Sequence, residues 1–237
     1  MKKVYTCTTG RLPYAQVWAW QRAWCERRRR GALPDLLLLT EHPPTYTCGR
    51  STRAEHLLYG AEQLAAMGCE FFEIERGGSV TFHGPGQLVG YPLVDLHGWG
   101  RDVHGHMRRL EEIVVRTLAA YGLEAAPGPE LTGVWVGQDK IGAIGVHVRH
   151  WITMHGFALN VDPDLEHFRR ILPCGLDNDK VTSMAQLLGQ VPAMEEVEAR
   201  VRENFEAVFE AELEEMALAD FCAVVEGKSI ARMGENL

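Results

Sequence analysis

The stretch Gly133–Asn160 reads GVWVGQDKIGAIGVHVRHWITMHGFALN and carries much of the information about the fold. β-Branched and apolar residues recur, partly in alternation, over Val134–Val136, Ile141–Val148 and Ile152–Asn160, a pattern typical of strands. The sequence Gly137-Gln138-Asp139 between the first two runs is a turn signal. We therefore predict three strands here, with Lys140 at the opening of the second.

Outside this stretch the sequence predicts further strands and several helices. Strands are predicted at Leu36–Leu39, Val80–Phe82 and Leu88–Asp95. Helices are predicted from Tyr14 to the arginines before Gly31, over Ala61–Met67, over Met107–Tyr121, from Asp162-Pro163 through Ile171, and over Glu195–Met216. Strands and helices alternate without a regular βαβ repeat, so we expect an α+β fold with a mixed β-sheet flanked by helices.

Length and composition limit the classes of protein to consider. With 237 residues, 46% of them hydrophobic, the chain can bury a full core. Because no linker divides the sequence, we expect a single domain. The formal net charge of −8 argues against general nucleic-acid binding. A local basic cluster, Arg27–Arg30, is compatible with a solvated helix end or with a docking site for an acidic partner, to which Arg149 and His150 would contribute.

The cysteines indicate a reducing compartment. The six are Cys7, Cys25, Cys48, Cys69, Cys174 and Cys222, without Cys-x-x-Cys spacing. No signal peptide follows Met1, and no apolar run approaches the length that spans a bilayer. We therefore expect reduced thiols, a cytoplasmic location and no association with membrane.

The turn Pro173-Cys174-Gly175 presents a candidate nucleophile. Proline fixes its own φ and restricts the residue before it, and Gly175 removes bulk on the other side, so the thiol of Cys174 would lie on a constrained, open turn. Such a turn is equally compatible with a buried structural cysteine. Lys140 is the candidate partner of this thiol.

Two further segments contain polar residues among glycines. Arg76–Pro92 reads RGGSVTFHGPGQLVGYP, and its glycines would let a ligand or a second backbone approach closely. It matches neither phosphate-loop nor dinucleotide-loop patterns. His155-Gly156 opens a run of apolar residues that would place polar groups at the mouth of an apolar pocket. For both His83 and His155 a structural role in the core is the competing interpretation.

Histidines at 97, 104 and 106 are close in sequence, but no cysteine pair or His-Glu-x-x-His accompanies them. We therefore predict no metal site.

Taken together, these segments resemble the lipoyl(octanoyl) transferases, the lipoate-protein ligase B family. The resemblance rests, in chain order, on Glu41–Thr47 (EHPPTYT), Arg76–Tyr91, Gly133–Gly145, His155–Val161 and Pro173-Cys174-Gly175. It covers roughly residues 1–210, which suggests a catalytic domain over 1–216 and a C-terminal tail over 217–237 of unknown role. It implies a fold like that of biotin and lipoate protein ligases, of the class II synthetase type. One departure is His147, where relatives often have arginine.

The resemblance also implies an activity and a set of site residues. The expected reaction moves an octanoyl or lipoyl group from acyl carrier protein to a lysine of the lipoyl domains of 2-oxoacid dehydrogenases or of glycine cleavage H protein, without a cofactor. Cys174 would be the acyl acceptor and Lys140 its partner. The acyl-binding residues would be Arg76, Gly77, Gly78, Ser79, His83, Gly84, Ile144, Gly145, His155, Gly156 and Ala158.

Chemistry is consistent with these roles. A free cysteine, with a pKa of about 8.5, is only slightly ionised at neutral pH. A nearby lysine can stabilise the thiolate as an ammonium group or, as a neutral amine, take the proton of the thiol. The second role needs desolvation of Lys140, because burial disfavours the charged form. Two other enzyme classes stay open: an ATP-dependent lipoate or biotin ligase, and a hydrolase that pairs Cys174 with His155 or His83. A non-catalytic module that binds acyl groups or carrier protein is a third interpretation.

Overall fold

The three strands predicted between Gly133 and Asn160 are present and pair in sequence order. This computed structural model describes residues 1–128, 131–172 and 180–228. Within these ranges the strands are β1 (Lys2–Arg11), β2 (Leu36–Glu41), β3 (Thr45–Cys48), β4 (Glu70–Glu73), β5 (Val80–His83), β6 (Gln87–Leu93), β7 (Ala125–Pro127), β8 (Val134–Val136), β9 (Asp139–Arg149), β10 (Ile152–Asn160) and β11 (Ala211–Glu215). The α-helices are α1 (Tyr14–Arg29), α2 (Ala61–Ala66), α3 (Val103–Ala119), α4 (Met184–Leu188), α5 (Met194–Phe209) and α6 (Leu218–Val225).

The strands form a large mixed sheet and a small one. In the described part of the chain the large sheet has the order β11-β1-β2-β6-β10-β9-β8-β7, and the small sheet has the order β4-β3-β5. Strand β1 runs parallel to β2 and β11, whereas every other pair in the large sheet is antiparallel. The prediction of an α+β fold with a mixed, helix-flanked sheet is confirmed.

The four leucines Leu36–Leu39 show why the sheet has helices on both faces. Successive side chains of a strand point to opposite faces. Leu37 and Leu39 belong to the core that includes α3 and α5, whereas Leu36 and Leu38 belong to the core that includes α1 and α6. All four are fully buried. A strand covered on both faces is apolar at every position, so β2 has a continuous rather than an alternating pattern.

The predicted helix over Glu195–Met216 is wrong in its last third, after Phe209. Helix α5 ends at Phe209, and Glu210 caps it in the left-handed conformation with φ 49°. Residues from Ala211 onward then form β11, which pairs in parallel with β1. The free edge of β1 supplies backbone partners for this segment, and that long-range pairing outweighs the local preference of a Glu-rich sequence for helix.

The predicted helix at Asp162-Pro163 begins later and is of another type. A 3₁₀ helix spans Leu165–Arg170, and Asp164 caps it by accepting from the backbone N–H of Glu166. The backbone N–H of Asp162 donates instead to Gly86 O at 2.8 Å. Because this bond ties Asp162 to the turn before β6, the helix starts two residues further along the chain.

The C-terminal tail is folded as far as the structure describes it. Helix α6 buries Phe221 and Val224 in the same core as Trp24 of α1. None of the helices in residues 1–128, 131–172 and 180–228 is long and apolar enough to cross a membrane.

Two histidines outside the glycine-rich segments are fully buried. His42 Nδ1 donates to Leu12 O at 2.8 Å, and its Nε2 accepts from the Tyr91 hydroxyl at 2.7 Å. His106 on α3 packs edge-on against Phe209, and neither of its ring nitrogens has a hydrogen-bond partner among the described residues. Burial lowers the pKa of each to about 4. Both imidazoles are therefore neutral at physiological pH.

These buried histidines predict that the protein loses stability in mild acid. A folded-state pKa below the unfolded value leaves stability intact above pH about 6.5 and removes it as the pH falls towards 4, because only the unfolded chain takes up the proton. At pH 5 each histidine is expected to cost about 2 kcal/mol of unfolding free energy. Urea titrations at pH 7 and pH 5 measure this loss.

The matched variant is His106→Phe, which keeps a ring and removes no hydrogen bond. Between pH 7 and pH 5, this variant is expected to lose about 2 kcal/mol less unfolding free energy than the wild type, which is the contribution of one histidine. An equal loss in the variant and the wild type would contradict this assignment.

Candidate active site

A cavity of about 720 Å³ lies beside the centre of the large sheet. Its walls come from β5, β6, β9, β10 and the segment Arg76–Ser79. Apolar surface is contributed by residues such as Val89, Ala143, Phe157 and Ala158. This size and this mostly apolar wall are typical of a site for a small organic ligand.

Ten of the eleven acyl-binding residues predicted from the resemblance line this cavity: Arg76, Gly77, Gly78, Ser79, His83, Ile144, Gly145, His155, Gly156 and Ala158. Gly84 is not among its lining residues.

A directly paired glycine couple allows the walls to approach each other. Gly145 of β9 faces Gly156 of β10 in the antiparallel ladder. A Cβ on Gly156 would lie 2.2 Å from Gly90 O, and a Cβ on Gly145 would lie 3.1 Å from Arg76 Cδ. Any larger residue at either position would therefore push neighbouring backbone or Arg76 away.

Arg76 holds in place the segment Arg76–Ser79, which we call the glycine-rich segment. Its guanidinium is buried, and Nη2 donates to Thr47 O at 2.6 Å and to Thr47 Oγ1 at 3.1 Å, while Nη1 donates to Gly77 O at 3.0 Å. The Gly77 N–H in turn donates to Val146 O at 2.9 Å. These bonds join the small sheet, the glycine-rich segment and β9, so Arg76 shapes the cavity as well as lining it.

His83 begins a chain of side-chain hydrogen bonds under the cavity. Its Nδ1 donates to Gln87 Oε1 at 2.8 Å, and Gln87 Nε2 donates to Asn160 Oδ1 at 2.9 Å. Asn160 Nδ2 then donates to Thr182 O at 3.0 Å. Burial, with a smaller effect of His42, lowers the pKa of His83 to about 3. His83 is thus a neutral, fixed group whose hydrogen bonds reach the segment that flanks Lys140.

His155 has an unusual backbone and an unsatisfied ring. Its φ is +62°, a left-handed value that is uncommon for residues other than glycine. Its backbone N–H donates to Gln21 Oε1 at 2.9 Å, whereas Nε2 has no partner among the described residues. Burial, reinforced by Arg76, lowers its pKa well below the usual value. Strained residues with unsatisfied polar atoms concentrate at functional sites, which fits its place on the cavity wall.

Lys140 lies on β9 and is held at both of its backbone groups. Its N–H donates to Lys180 O, and its C=O accepts from Thr182 N, both at 3.0 Å. Only 9% of the residue is exposed, and it lines the cavity. The prediction of Lys140 near the start of the second strand is confirmed.

Cys174 lies outside the described residues, which end at Leu172 and resume at Lys180. The two described neighbours of this segment are both tied to the cavity wall. Leu172 N donates to His56 O at 2.9 Å, and Lys180 O accepts from Lys140 N. Leu172 is therefore bonded beside the cavity residue His56, and Lys180 is bonded to Lys140.

His56 is a cavity residue that the sequence analysis did not identify. Its Nδ1 lies 2.6 Å from Ser79 Oγ and accepts the backbone N–H of Arg53 at 3.2 Å. Because an N–H can only donate, Nδ1 is the acceptor and the proton of the neutral ring is on Nε2. His56 follows an irregular segment without helix or strand periodicity, so no sequence pattern indicated its position.

The basic cluster Arg27–Arg30 is largely engaged by neighbouring groups. Arg27 donates to Val224 O, and Arg28 pairs with Asp35 at 2.7 Å. Arg29 and Arg30 both pair with Glu26 at 2.8 Å. These contacts tie α1 to α6 and to Asp35, the residue before β2. The carboxylates of Glu26 and Asp35 neutralise much of the charge of the cluster.

A second cleft of about 520 Å³ adjoins this end of α1. Its lining includes Arg22, Arg149, His147 and His150. Arg22 lies over the Trp18 ring, and neither Arg22 nor Arg149 has a carboxylate partner in the described part of the chain. Burial and the neighbouring Arg50 lower the pKa of His147. Glu26, Glu75 and Arg29 also line the cleft, and Arg22 and Arg149 are its arginines without an ion pair among the described residues.

Comparison with known proteins identifies relatives of both the sequence and the fold. The family model "Lipoyl protein ligase A/B catalytic domain" matches residues 13–206. The octanoyltransferase of Solibacter usitatus is 49% identical over 204 residues, which are 86% of this chain and 92% of that protein. The octanoyltransferase of Rubrobacter xylanophilus is 50% identical over 201 residues, or 84% of this chain and 90% of that protein.

Solved structures with a similar fold are more distant in sequence. A bipartite lipoate protein ligase of Thermoplasma acidophilum has a TM-score of 0.73 at 17% identity, covering 96% of this chain and 94% of that one. A lipoate-protein ligase A bound with ATP has a TM-score of 0.72 at 18% identity, covering 96% and 95%. The expectation of a lipoate protein ligase-like fold is confirmed. With a family model that spans most of its length and relatives at about half identity, the chain belongs to the lipoyl protein ligase A/B catalytic domain family, as its sequence motifs indicate.

Proposed function

We propose that this enzyme is an acyltransferase that moves an octanoyl group from acyl carrier protein to a lysine of a lipoyl domain, through a thioester on Cys174. The observation that carries the proposal is the apolar cavity with Lys140 in its wall, bonded to the segment that follows Cys174. The relatives at 49% and 50% identity are octanoyltransferases. The acyl chain would lie along Ala143, Gly145, Gly156 and Ala158.

The first half-reaction would transfer the acyl group between two sulfur atoms. The thiolate of Cys174 attacks the octanoyl carbonyl, the tetrahedral oxyanion collapses, and the C–S bond to the carrier breaks. As a neutral amine, Lys140 would accept the proton of the Cys174 thiol, and as the resulting ammonium it would stabilise the thiolate. The leaving thiolate of the carrier then takes up this proton from Lys140.

The second half-reaction would form the amide. The acceptor lysine attacks the Cys174 thioester as a neutral amine, its proton passes to Lys140, and the thiolate of Cys174 leaves. Transfer from thioester to thioester is nearly isoenergetic and transfer to an amide is downhill. The reaction therefore needs neither ATP nor a cofactor.

The other thiols of the described chain support the choice of nucleophile. Burial raises the pKa of Cys7 and Cys25 to about 12, and it also raises the pKa of Cys48, Cys69 and Cys222. A thiol with a raised pKa is poorly ionised and unreactive. All five are free cysteines, which accords with the reducing cytoplasm that we propose as the compartment.

Two competing functions are less well supported. A Cys-His hydrolase needs a histidine that titrates near neutrality, whereas burial holds the pKa of both His83 and His155 far lower. An ATP-dependent ligase would share this fold but would have no need of Cys174. Octanoylation of a lipoyl domain by octanoyl carrier protein in the absence of ATP would distinguish the acyltransferase from both, because the hydrolase would release free octanoic acid and the ligase would require ATP.

The decisive experiment is the intact mass of the protein after incubation with octanoyl carrier protein. We expect an adduct of octanoyl size that is absent in Cys174→Ser and that disappears when a lipoyl domain is added. Cys69→Ser is the matched control and should keep the adduct. Octanoylation of the lipoyl domain by Cys174→Ser at the wild-type rate would refute the thioester route.

Substitution of Lys140 tests its role as a base. Lys140→Ala should keep the fold, because the backbone bonds to Lys180 and Thr182 remain, and it should lose about a hundred- to ten-thousand-fold in turnover. Lys140→Arg should be nearly as inactive, since a guanidinium does not release its proton near neutrality. Turnover near the wild-type value in Lys140→Arg would show that only the positive charge matters.

The carrier protein would dock beside the second cleft. Acyl carrier proteins are acidic and this enzyme carries a net charge of −8, so attraction requires a local positive face. The arginines of that face without a carboxylate partner are Arg22 and Arg149, whereas Arg29 and Arg30 share Glu26. Of the sequence-based candidate, Arg27–Arg30 with Arg149 and His150, we therefore favour the part around Arg149 and His150 and add Arg22 to it.

Charge reversal tests the docking face. Arg22→Glu with Arg149→Glu should raise KM for octanoyl carrier protein and flatten its salt dependence, while turnover of a small octanoyl thioester stays unchanged. Arg30 lies outside the lining of the cleft and is paired with Glu26, so Arg30→Glu is the control and should have a smaller effect. Equal losses with both donors would assign these arginines to the fold or to the cavity instead.

A further inference from the structure

The side chain of Lys140 lies against an aromatic ring. Trp135 of β8 is its direct partner across the antiparallel ladder between β8 and β9. The Lys140 Nζ lies over the indole, 5.1 Å from the ring centroid. The negative face of an indole attracts an ammonium group, and the attraction grows where water is largely excluded, as it is around Lys140.

The backbone of Gly133 lies close to the side chains of both Lys140 and Trp135. Gly133 has φ +146°, and a Cβ at this position would lie 2.8 Å from Lys140 Cε and 3.0 Å from Trp135 Cη2. Only a residue without a side chain leaves room for both neighbours. Gly133 thus packs against the lysine and the indole at once.

A buried carboxylate holds Gly133 in this position. Glu111 of α3 is fully buried, and its Oε1 accepts from Gly133 N at 3.0 Å. Its other oxygen accepts from Arg108 Nη1 at 2.6 Å. A charged group used in this way anchors the backbone beside Lys140 to a helix of the core.

We propose that Trp135 is a positioning residue of the transfer reaction, which holds the Lys140 amine at the cavity and favours its ammonium form, with Gly133 and Glu111 fixing the geometry. The catalytic meaning of this contact rests on the proposed function. Its effect on Lys140 is measurable without any acyl substrate. By favouring the ammonium form, Trp135 raises the pH at which Lys140 changes from a partner of the thiolate into a base.

Other ionisable groups adjoin Lys140 or line the same cavity. Within the described residues they are Glu111 behind Gly133, Asp139 and Lys180 next to its backbone, and Tyr14, Arg53, Glu55, His56, Arg76, His83, Tyr91 and His155 on the cavity wall. A substitution at Trp135 changes the ring and leaves all of these groups present. The difference between two variants at Trp135 therefore isolates the contribution of the ring.

The experiment is an NMR titration of the full chain labelled with ¹³C-lysine. The Cε signal of Lys140 is assigned by its absence in Lys140→Arg, and its shift is followed against pH. Removing the ring destabilises the ammonium, so Trp135→Leu should move the protonation midpoint to lower pH by about 0.4–1.5 units, a ~2- to 30-fold change in the ratio of ammonium to amine. Trp135→Phe, which keeps a weaker aromatic face, should move it less.

Turnover gives a second reading. If Lys140 is the base, the acidic limb of the kcat profile in Trp135→Leu should move in the same direction as the midpoint, with KM little changed. A midpoint that stays in place or rises in folded Trp135→Leu overturns the proposal. If that variant does not fold, Trp135→Met replaces it under the same criterion. If the wild-type protein formed no octanoyl adduct, the proposed function would be refuted. The NMR titration would still test the contact between Trp135 and Lys140.

Discussion

The two backbone hydrogen bonds between Lys140 and the segment Lys180–Thr182 are the constraint on which the site depends. They join residues forty positions apart, and they place the end of the segment that contains Cys174 against β9. At the other end, Leu172 is bonded to His56, which also contacts Ser79 of the glycine-rich segment. Because these are backbone bonds, the arrangement survives substitution of the Lys140 side chain.

The cavity owes its shape to close approach of backbone rather than to large side chains. Gly145 and Gly156 pair directly, and each is crowded by neighbouring chain, by Arg76 in one case and by Gly90 in the other. Buried Arg76 then bonds the glycine-rich segment to the small sheet. Glycines in strand interiors mark places where a ligand or another backbone approaches closely, and the proposed acyl chain would occupy the apolar space that they leave.

Burial has opposite consequences for different titratable groups around the site. It keeps His83 and His155 neutral, so that they serve as fixed walls and hydrogen-bond partners. It also raises the pKa of every described cysteine, which leaves these thiols unreactive. Lys140 differs from these groups because an indole face lies beside its amine. Within the cavity, burial therefore keeps the two histidines neutral, whereas the indole face favours the ammonium form of Lys140.

The sequence by itself determined the fold class, the strands from Gly133 to Asn160, the family and most of the cavity residues, because periodicity and glycine-rich motifs are local signals. Only the tertiary structure decided the fate of Ala211–Glu215, which pairs with β1 although its local preference is helical. It also decided that Arg28 pairs with Asp35 rather than facing a partner, and that His56 and Trp135 lie beside the site. Each of these outcomes depends on a neighbour distant in sequence or on the direction of a side chain, and neither leaves a trace in local pattern.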